Sequence, residues 1–173
     1  MIDFSRVTFD KAIKCNVQQK AAQIESKFPL VKLGEIAEIQ KGKAITSAEL
    51  KAGAVKVVAG GVDYAYLHNE SNRPANVITV SASGANAGFV NFWREPIFAS
   101  DCTTILAKDT LTTKYVFNVL KANQELVSSL QKGAAQPHVY ADDLKEVKIP
   151  LPPLDVQKAI VDECEQVDAE YQG

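Results

Sequence analysis

The side chains in these 173 residues that could act as nucleophiles, metal ligands or phosphate binders are few and scattered. His68 and His138 are the only histidines, and neither has a cysteine or carboxylate beside it at metal-ligand spacing. Both read as polar loop residues. Cys15, Cys102 and Cys164 lie far apart with no C-x-x-C pair, which argues against a disulfide framework and a structural zinc site and leaves reduced thiols. Ser100-Asp101 offers a nucleophile next to a base, but no histidine partner or nucleophile-elbow glycine accompanies it, so it reads as a turn. Glu146-Val147-Lys148 imitates the E-x-K half of a metal-dependent nuclease site. The proline-aspartate half is missing, and alternating charge on a short strand follows from exposure of one face. The small-residue run Ser81-Ala82-Ser83-Gly84-Ala85-Asn86-Ala87-Gly88 lacks the Gly-Lys-Ser/Thr ending of a nucleotide-binding loop. It reads either as a tight β-connection or as a loop whose amides and hydroxyls touch phosphate. The sequence therefore predicts no catalytic residue, no metal and no cofactor.

Binding chemistry is better represented. Tyr64, Tyr66, His68, Asn69, Asn72 and Arg73 gather aromatic, amide and guanidinium groups in one polar stretch. Asn and Arg pair with adenine and guanine edges, and Tyr and Lys steady a nucleic-acid backbone. The plain alternative is an exposed hydrophilic loop. Net charge is -2, but it is unevenly spread: Lys41 to Arg94 holds six basic and three acidic residues, whereas Ala141 to Gly173 holds three lysines and nine acids. A basic centre and an acidic tail suggest two surfaces with different partners.

The elements that must position these groups follow from periodicity. Ile13, Val17, Ala21, Ile24 and Phe28 mark an amphipathic helix over Thr8 to Phe28, stopped by Pro29. Leu33 to Ile39 is short and partly helical. Val55–Ala59, Asn76–Ser81, Gly88–Trp93 and Cys102–Ala107 are β-rich runs between turn residues, predicting a sheet. Thr113 to Gln131 has helical period, with Val116, Val119, Leu120, Val127 and Leu130 on one face and Gly133 as its stop. A short strand Val147–Ile149 leads into Pro150-Leu151-Pro152-Pro153. Val156, Ile160, Cys164, Val167 and Tyr171 then form the narrow seam of a coiled-coil helix. No apolar run reaches the ~20 residues a membrane span needs. The first 20 residues lack the apolar core of a secretory signal, so a cytoplasmic address is the default.

In this order, several segments resemble a target-recognition domain of the DNA-specificity subunit of type I restriction-modification systems. They are Leu30-Val31-Lys32-Leu33-Gly34-Glu35-Ile36, Gln40-Lys41-Gly42-Lys43-Ala44-Ile45-Thr46, Val80 to Gly88, Phe98-Ala99-Ser100-Asp101-Cys102 and Gly133 to Val139. The last is Leu144 to Leu154, followed by Gln157-Lys158-Ala159-Ile160-Val161. The resemblance implies an α+β fold: a mixed, mainly β recognition domain covered by helices, similar to the DNA-binding domain of adenine-N6 methyltransferases, leading into a coiled-coil-type spacer helix. The expected division is residues 1–28 as a helical arm or linker, 29–153 as the recognition domain and 154–173 as the start of the spacer. It also implies a subunit without catalysis of its own, reading one half of a split target in double-stranded DNA for methylase subunits and a restriction subunit. The Asn/Asp-Pro-Pro-aromatic signature of adenine methylases is absent.

The expected DNA face is the basic centre with the Gly133–His138 loop. Lys41, Lys43, Arg73 and Arg94 are expected on phosphates, and Tyr64 to Arg73 with Asn86, His138 and Tyr140 on bases. Thr46, Ser83 and Gln136 complete the set. Val156, Ile160, Cys164, Val167 and Tyr171 are the expected partner surface, toward the N-terminal helix, a second copy or a methylase subunit. The chain reads equally as an excised fragment, a half-subunit that dimerises, one end of a longer subunit, or the recognition domain of a fused methylase-specificity polypeptide. A metal-dependent nuclease and a pure protein-interaction module are the rivals from other classes.

Overall fold

A computed structural model describes residues 24 and 26–171. The Thr8 to Phe28 helix, apart from its last few residues, and Cys15 lie outside the described residues, as does the Tyr171 side chain. Strand β1 (Leu30–Lys32), the single turn α1 (Leu33–Ile36) and β2 (Ala37–Lys41) lead in. There follow β3 (Val55–Val58), β4 (Tyr64–His68), β5 (Val77–Ser81), β6 (Val90–Trp93), β7 (Ile97–Ala99) and β8 (Cys102–Ala107). The remainder is α2 (Thr110–Ala122), α3 (Gln124–Ser128), α4 (Ala141–Glu146), β9 (Lys148–Pro150) and α5 (Leu154–Tyr171). This is the expected α+β architecture.

Strands β2, β8, β5 and β6 form an antiparallel four-stranded sheet in that order, and β4, β3 and β7 a second, mixed sheet. The alternation of β5 shows why the two sheets stack. Ile78 and Val80 point into the cluster that holds Val116, Leu120 and Val127 of the helices. Val77 points the other way, among Val58, Trp93, Ile97, Ala99 and Cys102 from both sheets. A strand covered on both faces is apolar on both, and every residue of β5 is buried. Trp93 reaches a partner in this dry layer by donating its indole N–H to Thr79 Oγ1 at 2.9 Å.

Three elements differ from the sequence expectation. Strand β5 starts at Val77 because Asn76 takes φ 59°, a left-handed turn conformation that Asn tolerates. The single helix over Thr113–Gln131 is two. Asn123 leaves helical geometry (φ -112°, ψ 37°), and its side-chain amide caps Val119 O at 2.8 Å. The polar stretch after Asp63 is the edge strand β4, its register shifted by a bulge opposite Val57 and Val58.

The chain enters and leaves side by side. Strand β1 pairs antiparallel with β9, Leu33 N donates to Val147 O (2.8 Å) and Leu151 N to Pro29 O (3.0 Å). Lys108 and Thr112, just past the end of β8, line the same groove as Phe28, Pro29, Leu154 and Gln157. That places the start of α5 at the Ala107 end of β8. Cys102, at the other end, is about 17 Å away at the usual rise of a strand.

Candidate nucleic-acid interface

The strand registers bring one end of each sheet together. Lys41 pairs with Thr103 and Ser81 with Cys102, so β2 and β5 end where β8 begins. Val80 pairs with Val90, and Val58 with both Ala99 and Tyr64. The segments 41–46, 59–64, 82–89 and 100–101 therefore emerge at one pole. The 132–140 loop joins them through Val139 N to Ala82 O (2.9 Å) and Gly84 N to Pro137 O (3.0 Å). Such convergence leaves loop side chains free to bind while the sheets hold the backbone.

Most of the expected residues at this pole are open to solvent. Lys41, Lys43, Thr46, Tyr64, Tyr66, Asn86, Gln136 and Tyr140 are exposed. Lys41 and Lys43 are held by backbone alone, Gly42 N donating to Cys102 O (2.8 Å) and Lys43 N to Ala99 O (2.9 Å), so their ammonium groups stay available. A side chain on Gly42 would begin 2.0 Å from Ser100 O, which explains glycine between the two lysines. Thr46 is engaged locally. It caps a 3-10 turn at Ser47–Glu49, its hydroxyl donating to Glu49 Oε2 at 2.7 Å. That hydrogen bond and the one from Thr46 N hold the Glu49 carboxyl below the usual carboxylate range. Ser83 Oγ donates to Asp101 Oδ2 across two loops. His138 stacks on Tyr140, ring centroids 6.0 Å apart, and Lys132 Nζ stands 5.9 Å from the Tyr140 ring while pairing with Asp143 at 2.7 Å. Lys132 belongs with this set and was missed. Its only sequence signal is its place before Gly133, whose φ of 96° folds the loop so that Lys132 pairs with His138.

Three expected contacts are corrected, and two more are displaced. His68 is 5% exposed, its Nδ1 accepts from Lys51 N at 3.2 Å, and its ring meets Phe98 edge-on, so it is a core residue. Asn72 brackets one residue: Nδ2 donates to Ala99 O (3.0 Å) and Oδ1 accepts from Ala99 N (2.7 Å). Arg73 spends its fork on Thr104 Oγ1 (2.8 Å), Asn72 O (2.8 Å) and Lys41 O (3.0 Å). These two residues spend on the protein itself the amide and guanidinium groups expected to read bases or phosphates. Asn69 is exposed but follows the far end of β4 from Tyr64, its backbone against Gly53. Arg94 is exposed but follows the far end of β6, in a groove that it lines with Lys56 and Glu95 and that extends to Val62 near the pole.

The expected seam of α5 is also displaced. The helix packs on α2 of the same chain through Gln157 and Val161, each 3% exposed, with Lys114 Nζ to Glu165 Oε1 at 2.7 Å. Val156, Ile160 and Cys164 are half-buried along its margin, and Val167 is 45% exposed. Burial raises the Cys164 thiol pKa, and pushes that of Cys102 up to about 12. Glu146, the carboxylate of the nuclease rival, forms an exposed ion pair with Lys32 at 2.7 Å. Among the described residues no group of three His, Cys, Asp or Glu side chains is placed to hold a metal, and no helix is long and apolar enough to cross a membrane.

The chain is similar to known proteins over most of its length. The family described as "Type I restriction modification DNA specificity domain" matches residues 25–172. A Mycoplasma pneumoniae protein described as a candidate type I specificity subunit is 29% identical over 123 residues, 69% of this chain and 32% of that protein. The specificity subunit of a type I restriction enzyme of Methanocaldococcus jannaschii is 34% identical over 86 residues, 49% of this chain and 20% of that one. Among solved structures, the type I restriction-modification S subunit of M. genitalium superposes with a TM-score of 0.72 at 21% identity, over 86% of this chain and 41% of that one. A subunit from Thermoanaerobacter tengcongensis gives 0.62 at 22%, covering 88% and 40%. The chain thus spans less than half the length of these relatives.

Proposed function

The chain belongs to the family of type I restriction modification DNA specificity domains, and from that membership we propose that it reads one half-site of a split target in double-stranded DNA. In this reading it supplies the sequence address of a type I restriction-modification assembly in the cytoplasm, while methylase and restriction subunits carry out the chemistry. The observation that carries the proposal is the polarity of the fold. Loops with Lys41, Lys43, Asn86, Gln136 and Tyr140 meet at one pole, and the acidic helix α5 leaves from the other.

That separation suits the two tasks. Lysines fix position on phosphates through charge, while amides, tyrosines and the His138–Tyr140 stack meet base edges in a groove. An acidic helix is repelled by DNA and is free for a protein partner. Membership in a restriction complex, pairing through terminal helices, and fusion to a methylase all remain within this proposal, because they concern chain beyond the recognition domain. The test is a duplex mobility shift without divalent metal, competed by unrelated duplex. A shift resistant to unrelated competitor supports the reader. Divalent-dependent cleavage would establish the nuclease instead, and no shift even at low salt would leave the protein-interaction module.

A further inference from the structure

Asp101, at the pole where the basic loops converge, has no place in phosphate binding. Asp101 lies in the two-residue turn between β7 of one sheet and β8 of the other, and its side chain is exposed. A carboxylate there repels the backbone of DNA. It is nonetheless firmly placed. Ser83 Oγ donates to Oδ2, and Ala82 N donates to the Asp101 carbonyl at 3.3 Å. The β2 end that carries Lys41 and Lys43 is pinned to the same turn through Cys102 O and Ala99 O. A side chain on Gly60 would begin 3.3 Å from Oδ2 and cover the carboxylate, and glycine leaves it open. Among the described residues Asp101 joins no ion pair, and Oδ1 takes no hydrogen bond.

We propose that Asp101 is a specificity-determining residue that accepts a hydrogen bond from the N4 amino group of a cytosine in the major groove. This rests on the DNA-reading function proposed above. A carboxylate only accepts, so the acceptor edges of guanine (N7, O6) and thymine (O4) repel it. Adenine presents an amino group beside the N7 acceptor, a pattern suited to an amide. Cytosine presents its amino group without a neighbouring acceptor, which fits a carboxylate. The Ser83 hydroxyl occupies one oxygen and aims the other, so Ser83 is the positioning residue. The lysine rim takes phosphates, and the acid between them faces bases.

The experiment selects duplexes from a randomised pool on the full chain at low salt, then measures retained and scrambled duplexes separately. The wild-type chain should enrich a motif with an invariant cytosine. Asp101→Asn should lose preference at that one position by about ten-fold or more, yet bind scrambled duplex at least as tightly, because a repulsive charge is gone. Ser83→Ala should blur the same position and no other. A merely structural Asp101 would weaken retained and scrambled duplexes alike, and that result overturns the assignment, as does the same motif from Asp101→Asn. If Asp101→Asn lowers the melting temperature, Asp101→Ala, assayed at a temperature where it is folded, removes the acceptor altogether; unchanged preference from that variant also overturns it. A wild-type chain that enriches no motif refutes the DNA-reading function itself, and this assignment with it.

Discussion

Arg73 shows how folding can consume a charged side chain that composition assigns to DNA. Two of its three hydrogen bonds tie the 72–73 segment to the end of β2 and to Thr104 of β8 while the third closes on Asn72 O, a fork that lysine lacks. Arg73→Lys should therefore cost about 1 to 3 kcal/mol of unfolding free energy while leaving the salt dependence of DNA binding unchanged. Lys43→Ala should do the reverse, leaving the denaturation midpoint alone and lowering the salt slope by about one. Anisotropy titrations across a salt series, paired with denaturant unfolding, separate the two. Tyr115 makes a third residue-scale case. Its hydroxyl donates to Pro150 O at 2.8 Å, and burial pushes its pKa from 10.0 up to about 12. The unfolded state then ionises first, so stability present below about pH 10 should decline as pH rises from about 10 to about 12. Tyr115→Phe should abolish that alkaline decline, and should cost about 1 to 3 kcal/mol at neutral pH by leaving a buried carbonyl without its donor. Sequence composition named several residues that the registers bring to one pole. It gave no sign that His68, Asn72 and Arg73 bond inward, because partners such as Ala99 and Thr104 are about 30 residues away.

At the scale of elements, period was legible and interruption was not. Strand β8 has the bounds expected for it, because a continuous apolar run between turn residues has few other ways to be buried. β4 escaped notice because an edge strand with only His68 buried leaves no alternation to read. The C-terminal helix was foreseen, but its contact line is shifted by one residue. A seam chosen for apolarity passes over Gln157, whose Nε2 donates to Pro152 O at 2.9 Å and thereby secures the first turn of α5. Val161→Asp places a carboxylate against α2, where Val161 is 3% exposed, and should loosen α5 from the domain. Val167→Asp, at an exposed position, should be tolerated by the isolated chain. Amide hydrogen exchange over residues 154–171 distinguishes them. Faster exchange in both variants, or in neither, contradicts the packing described here. Val156→Asp with Ile160→Asp then probes the margin left for a partner, and should reduce methylase binding while the recognition domain stays folded.

At the scale of the whole molecule, the antiparallel β1–β9 clasp brings the domain's entrance and exit to one pole and leaves the opposite pole to the converging loops, the face proposed for DNA. This polarity was only partly visible in the sequence as a basic centre and an acidic tail; the registers that set the poles apart join residues as distant as Gln40 and Thr104. A domain built this way presents one limited surface to DNA, and modules of that size gain affinity chiefly by linkage, since a second contact made within one assembly costs no further association entropy. The isolated chain should accordingly bind a single half-site weakly at physiological salt. Joining two recognition domains through an extended C-terminal helix, with the methylase partner present, should tighten binding to the split target by about 10²- to 10⁴-fold. The gain should depend on the spacing of the half-sites, because a stiff helix fixes the reach where a flexible linker would not. Duplexes with half-site spacing varied one base pair at a time would show this as a sharp optimum. Nanomolar binding by the isolated chain in physiological salt, or indifference to spacing in the linked form, would mean that one pole already makes the whole contact and that α5 serves some other purpose.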